Sequence, residues 1–357
     1  MPAQPAKRVR QKNKGFDVML IFTNCLSETP DEGCLKIANG LIKRIKSFSP
    51  ETKIVSYERQ TSLADLFVSS NKLLLTGDII RTVGKSKESI LYVPFPARSS
   101  ATALRILILS FFAKKKVSAL LTQVTEISFL AKVFLSLCKA EILVVSDDTK
   151  HMLDKAVTPK RIRKIPMGVD TKKFIPVAKE KSAELKEKYG IPPEKTVILH
   201  VGHLNEGRNV AQLMKLDEKY QVILVTSTLT KNEQDKELKN RLLSCPNIRL
   251  IDDYVPNIEE LYQLADVYFF PVIELGKCID VPVSCLEAAA CNKPVVTTDF
   301  GEMKAFKDKS GFWLIDSFEE ENLNRLVDEA VNCANPDSRT AVLDYDWSVA
   351  VNGIINS

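Results

Sequence analysis

Two turns concentrate the side chains that can do chemistry. The first, Val201-Gly202-His203-Leu204-Asn205-Glu206-Gly207-Arg208-Asn209, follows a buried apolar run. It sets a permanent guanidinium, Arg208, and an imidazole, His203, beside Gly202, ahead of a helix predicted over Asn209–Leu216. N–H groups at a helix start are unpaired and carry the positive end of the macrodipole, so they attract anions. Arginine is disfavoured at that end unless an anion joins it, and its forked donors suit phosphate. The spacing G-x-x-x-x-G-R-N approaches a P-loop. Arg in place of Lys and Asn in place of Ser/Thr remove both groups that handle ATP phosphates and magnesium, so an ATPase is excluded. His200 falls on the core-facing side of the preceding strand.

The second turn runs from Cys278 to Pro294 and contains a short helix predicted over Pro282–Cys291. Pro282 suits a first turn, and Asn292 with Pro294 closes the helix. Asp280 and Glu287 are seven apart, so continuous helix would aim both carboxylates the same way about 10.5 Å apart. Asp280 can equally serve as an N-cap. Glu287 sits among Leu286, Ala288, Ala289 and Ala290, where a carboxylate needs a partner or a ligand.

Several functions are excluded by composition. No two of the 13 glycines lie two apart, so there is no G-x-G-x-x-G dinucleotide fingerprint. With three histidines, a multi-histidine metal centre is not expected. The eight cysteines show neither C-x-x-C nor zinc spacing and read as reduced thiols of the cytoplasm. No apolar stretch reaches the roughly 18–20 residues of a membrane span. Charge is uneven: residues 1–170 carry 28 Lys+Arg against 15 Asp+Glu, and residues 171–357 carry 22 against 30. A basic half can attract nucleic acid, an anionic membrane or a phosphorylated substrate. No nucleic-acid-binding motif accompanies it, so no nucleic-acid partner is expected.

The elements that must position these turns alternate. Residues 1–15 form a basic tail with Lys7, Arg8, Arg10, Lys12 and Lys14. Asp17, Thr23 and Asn24 interrupt the apolar run behind it, and no small-residue cleavage site follows, which favours a buried strand over a signal peptide. Strands are predicted at Asp17–Thr23, Lys53–Tyr57, Leu73–Leu75, Ile90–Val93, Val117–Leu121, Ile142–Ser146 and Arg161–Met167, with a helix over Glu32–Phe48. The polar stretch 171–185 reads as a linker. A second series follows, with strands at Thr196–Val201, Gln221–Thr226, Ile248–Asp252, Val267–Pro271 and Pro294–Thr298. Its helices are predicted at Lys231–Leu243, Ile258–Ala265, Glu319–Cys333 and Trp347–Ile355. Such alternation implies α/β domains with parallel sheets covered on both faces. The predicted architecture is two tandem Rossmann-like, doubly wound domains, 16–170 and 186–340, facing across a cleft, with a C-terminal segment 341–357.

Three stretches carry a family resemblance: Val201-Gly-His-Leu-x3-Arg-Asn, Tyr254-Val-Pro-x3-Glu260-Leu-Tyr-x2-Ala265-Asp266-Val, and Leu286-Glu-Ala-x-Ala-Cys-x2-Pro294-Val-Val. Together they resemble the donor-binding domain of family 4 glycosyltransferases, retaining enzymes of the GT-B fold. Ile165-Pro-Met-Gly168-Val-Asp170-x3-Phe174 is similar to the segment entering the family's linker, and Asp346-Trp347 to its helix returning to the first domain. The resemblance is specific over 160–350 and rests on strand–helix order before that.

The resemblance implies roles. Glu287 matches the second glutamate of E-x7-E, which holds the ribose hydroxyls of a nucleotide sugar. Arg208 matches the basic residue on the donor diphosphate, and His203, as a cation, takes the place of a second. Gly33 is similar to the glycine-bearing loop that approaches the donor from the first domain, and Tyr254 lies where the base is bordered. Asp280, one residue late, is the nearest carboxylate to the first glutamate, whose place falls on Ile279. Leu121-Thr-Gln-Val-Thr-Glu126 stands where the family has a sugar-contacting histidine. The implied activity is metal-independent, cofactor-free sugar transfer from a nucleoside-diphosphate sugar to a carbohydrate or lipid-linked acceptor. Asp344-Tyr-Asp346 is read as a cap, not as a D-x-D metal motif. The departures leave a second reading, an inactive GT-B protein binding a sugar nucleotide or a partner. Epimerase and pyridoxal-dependent phosphorylase readings share the architecture. Leu104, Leu107, Ile108, Phe111 and Phe112 beside Lys114–Lys116 read either as a core-facing helix or as a helix lying on an anionic membrane, which would make the protein peripheral on the cytoplasmic face.

Overall fold

The computed structural model describes residues 18–355 apart from 58–59, 72–75, 96, 98, 124–125, 156, 228–233 and 275. The basic tail and the predicted strand Leu73–Leu75 lie outside the described residues.

Among the described residues, seven parallel strands build the first sheet: β1 (Met19–Thr23), β2 (Lys53–Tyr57), β3 (Leu66–Val68), β4 (Ser89–Val93), β5 (Val117–Leu121), β6 (Glu141–Val144) and β7 (Ile162–Lys164). Helices α1 (Gly33–Phe48), α2 (Gly77–Lys85), α3 (Ser100–Phe112), α4 (Phe129–Leu137) and α5 (Asp147–Asp154) connect them. The spatial order is β3-β2-β1-β4-β5-β6-β7, so the winding reverses between β1 and β4. The strands are nearly continuous apolar runs because helices cover both faces. Ser99, Ser128 and Ser146 cap α3, α4 and α5, each side chain accepting from an N–H three residues on.

The second half opens with α6 (Lys179–Lys188), a polar helix that occupies the later part of 171–185 and continues beyond it. Its sheet contains β8 (Val197–Val201), β9 (Gln221–Val225), β10 (Ile248–Ile251), β11 (Val267–Phe270), β12 (Val295–Thr297) and β13 (Phe312–Leu314). The order β10-β9-β8-β11-β12-β13 is again parallel and reverses between β8 and β11. Helices α7 (Lys236–Leu243), α8 (Ile258–Leu264), α9 (Val283–Ala290), α10 (Glu320–Val331) and α11 (Ser338–Val342) follow in chain order, and α12 (Trp347–Ile355) is the last element among the described residues.

The chain crosses between domains twice, and the two crossings lie together. Val169 pairs with Asp346, and Trp347 N–H donates to the Val169 carbonyl. Helix α12 returns to the first domain and packs on α1. Its Trp347 ring fills the space above Gly40 and Gly168, where an added Cβ would approach the ring to 2.5 and 2.1 Å. The apolar core on this side is continuous from Ile21 and Leu41 through Trp347 to Leu286. Separate cores close the far face of each sheet.

Candidate functional site

In open α/β sheets ligands sit beyond the carboxyl ends of the strands, where the order reverses. Both reversal points of this protein face each other across a cavity of about 910 Å³. From the first domain it is lined by Ser27, Asp31 and Lys36, from the second by Gly202, Thr226, Ser227, Tyr254 and Glu287.

Glu287 lies on α9, which follows β11, and its side chain is almost wholly buried. Lys36, in the first turns of α1, donates to both its carboxylate oxygens at 2.9 and 2.7 Å. Tyr262 Oη, on α8, donates to Oε2 at 2.7 Å. Burial, with the Glu287 carboxylate beside it, pushes the Tyr262 phenol well above its ordinary pKa, so it remains a donor. The buried carboxylate thus has the partner its apolar neighbourhood required, and that partner crosses the cleft. Sequence reasoning overlooked Lys36. A cation near a helix start is the same signal that singled out Arg208.

Arg208 is buried behind Gly202, and its Nε has no hydrogen-bond partner. A Cβ at Gly202 would stand 2.9 Å from His200 Nε2 and 3.5 Å from Arg208 Nη1, so only glycine lets both rest against this backbone. His200 is fully buried. Its Nδ1 lies 2.8 Å from the Phe269 carbonyl and must carry the proton, which leaves Nε2 as a lone pair. Burial holds its pKa down at about 4.

Three expectations are corrected. The helix predicted over Asn209–Leu216 is two 3-10 segments, Glu206–Arg208 and Val210–Lys215. Asn209 between them adopts φ 55°, and its amide donates to the Pro271 carbonyl, so the turn cannot wind into one α-helix. No α-helix dipole therefore stands behind this loop, and Arg208 supplies the positive charge. His203 is not a cation near neutral pH: burial, joined by the charge of Arg208, lowers its pKa to about 4. Asp280 does not share a helix face with Glu287, because α9 begins at Val283. It turns into the domain interface instead and accepts from the hydroxyls of Ser146 (2.7 Å) and Thr149. Burial raises its pKa.

Of the predicted residues, the cavity therefore gathers Gly202, Tyr254 and Glu287, with Arg208 directly behind Gly202. Gly33 meets Ile279, whose Cδ1 would lie 2.9 Å from an added Cβ. Gln123 Nε2 donates to the Cys278 carbonyl at 2.6 Å, closing that side of the cleft. Val124 and Thr125 of the same stretch lie outside the described residues.

This arrangement of sheets, cleft and returning helix has counterparts among solved structures. Residues 181–342 match the family of glycosyl transferases group 1. The fold is GT-B. HepE from Anabaena, solved with UDP and glucose, superposes with a TM-score of 0.74 at 13% identity, over 95% of this chain and 98% of that one. A glycosyltransferase from Rickettsia africae ESF-5 gives 0.76 at 15% identity, over 95% and 97%. Sucrose-phosphate synthase from Thermosynechococcus elongatus gives 0.71 at 12% identity, over 94% and 97%. No curated protein matches the chain in sequence. The matched segment holds Gly202, Arg208, Tyr254 and Glu287, while Lys36 and Gly33 come from the domain outside it. Among the described residues of this GT-B chain, no three His, Cys, Asp or Glu side chains converge as a metal site. No described helix is long and apolar enough to cross a membrane.

Proposed function

We propose that the protein is a retaining glycosyltransferase of the family 4 type, moving a sugar from a nucleoside-diphosphate sugar to a carbohydrate or lipid-linked acceptor. The observation that carries this is the pairing of a buried carboxylate, Glu287, with a buried guanidinium, Arg208, on either side of the β8–β11 reversal point. A ribose diol presents hydroxyl donors to a carboxylate, and a diphosphate presents oxygens to a guanidinium. The group 1 match over the same segment supports the reading, as do UDP and glucose in the HepE structure.

Cleaving the sugar–phosphate bond leaves negative charge on the diphosphate and positive character on the anomeric carbon. Arg208 stabilises the departing charge, a role that contributes about 3–4 kcal/mol per well-placed donor. His203 joins it on taking up a proton as the diphosphate arrives. The leaving phosphate accepts the acceptor's proton on the same face, so configuration is retained without a protein nucleophile. Charge stabilisation by these side chains makes the reaction metal-independent. Domain closure excludes water and suppresses hydrolysis.

A thermal-shift titration with UDP, GDP, ADP and CMP tests the donor site. A ligand at about 100 times its dissociation constant adds about 2.7 kcal/mol to stability. One diphosphate should raise the melting temperature of the wild type and leave Glu287→Ala unmoved. Equal shifts in both proteins would remove Glu287 from the site.

A second reading, a sugar-nucleotide binder without transfer, is favoured by one observation. Ile279 stands where the family places its first glutamate and packs on Gly33, and Gln123 is engaged by the Cys278 carbonyl. Nucleotide binding with neither donor hydrolysis nor transfer would select it.

A further inference from the structure

Helices α3 and α4 lie side by side on the outside of the first domain. Ser100 and Ser128 hydroxyls are 2.6 Å apart at one end, and Lys139 Nζ stands 5.0 Å over the Phe111 ring at the other. Each helix spends one side on the core, with Ile106 and Leu109 from α3 and Ala131 and Leu135 from α4. Their outer sides are apolar where a water-facing helix would be polar. Phe111, Phe112, Phe129, Leu130 and Leu137 are all exposed, Phe129 by 79%. Large apolar side chains gathered on one face of a monomer mark a docking surface.

Charge says what docks there. Residues 99–116 and 127–140 contain no Asp or Glu and five lysines, Lys114, Lys115, Lys116, Lys132 and Lys139. Lys116 is drawn onto Glu141 at 3.2 Å, while Lys114, Lys115, Lys132 and Lys139 are exposed around the apolar patch. Met19 pairs with Ser89 and Ile90 with Val117, so β1 begins two strand spacings, about 10 Å, from the Lys114–Lys116 run. In the sequence, Lys7, Arg8, Arg10, Lys12 and Lys14 precede β1. Apolar rings framed by cations, without a carboxylate among them, complement a bilayer interface bearing anionic headgroups.

We propose that the α3–α4 face rests on an anionic lipid bilayer. Phe129 begins α4 six residues after Gln123, which touches the second domain at the cleft. The docked face therefore borders the cleft mouth, where a lipid-linked acceptor would enter. That last clause rests on the transferase reading, and the docking itself does not.

Co-sedimentation of the full chain with vesicles tests it, using phosphatidylcholine alone and phosphatidylcholine mixed with phosphatidylserine. Tight binding is expected only to the mixed vesicles, weakening with salt. Two double variants, Phe129→Ser with Leu130→Ser and Lys114→Glu with Lys115→Glu, should each reduce it about tenfold or more. All four positions are exposed, so melting temperature and nucleotide-induced shift should stay those of the wild type. Failure of the wild type to bind overturns the proposal, and so does unchanged binding by both variants. A concentration-dependent dimer that the same variants dissolve would assign the face to a second copy and overturn it as well.

Discussion

A carboxylate buried as deeply as Glu287 needs positive charge or hydroxyl groups beside it, and the protein supplies Lys36 and Tyr262. The ribose reading places two more hydroxyls on the same oxygens, so Lys36 competes with the nucleotide for Glu287. Lys36→Met should therefore do two opposite things. Without ligand it leaves the carboxylate with Tyr262 alone and destabilises the protein by about 3 kcal/mol. With ligand, the nucleotide-induced rise in melting temperature should exceed that of the wild type. Calorimetry with and without the diphosphate reads both, and a smaller rise would make Lys36 a nucleotide contact rather than a competitor. Two histidines beside the Gly202 turn, His200 on β8 and His203 in the loop, set a pH dependence. Both have pKa values near 4 in the folded protein, below the ordinary 6.5 of the unfolded chain. Between those values the unfolded state binds more protons, so stability is full above about pH 6.5 and is lost as pH falls towards 4. Asp280 opposes the trend within the carboxylate range, because burial raises its pKa. The melting temperature should be flat from pH 7 to 8 and fall below 6.5, with a shallower fall in His203→Gln. An unaltered slope in that variant would mean that His203 is not held neutral by its surroundings.

At the scale of elements, the returning helix α12 is fixed by one ring against two glycines. Gly168→Ala would drive a methyl to 2.1 Å from the Trp347 indole, and overpacking of this kind costs about 1–3 kcal/mol. Amide exchange should accelerate in α12 and around Val169 before it does in the sheet strands. Uniform acceleration would show that α12 is no weaker than the rest. The same element was legible in the sequence from Trp347 to Ile355, and so were most strands, because both-face burial writes strands as apolar runs. The exceptions have physical reasons. Strand β3 spans three residues, with Leu66 and Phe67 exposed, and β13 spans three as well. Neither is long enough to show a period. The turn after Gly202 fooled the helical reading because Val210 and Leu213 are buried in a 3-10 spacing that resembles an α-helix over so few residues. What breaks the helix is the left-handed Asn209, a conformation asparagine adopts without announcing it in the residues around it. Lys36 could not be assigned to Glu287 from spacing at all, since 251 residues separate them.

For the whole molecule, these cross-cleft contacts decide how far the domains stand apart. The two crossings at Val169 and Asp346 are paired side by side, which gives the chain one hinge. On the far side of the cleft from Lys36 and Glu287, a polar cluster ties the domains. Asp280 accepts from Ser146 and Thr149. Glu302, almost fully buried, receives the Asp147 N–H at 2.8 Å and Lys164 Nζ at 2.6 Å, and Lys304 pairs with Asp148. Interfaces between domains of one chain resemble transient ones, so a hinge held by polar contacts should open when they are removed. Asp280→Ala combined with Glu302→Ala leaves Ser146, Thr149 and the Asp147 N–H without their acceptors and Lys164 with Asp147 alone, but takes nothing from either sheet. Solution X-ray scattering should then show a radius of gyration above the about 20 Å expected of a compact chain of this length, with unchanged circular dichroism. On the proposed donor site, the diphosphate that stabilises the wild type should bring the value back down, because it would join Glu287 and Arg208 to the Gly33 loop of the first domain. A variant that stays compact without ligand would place the closure in the continuous apolar core through Trp347, and the polar cluster would then set only the angle at which the two domains meet.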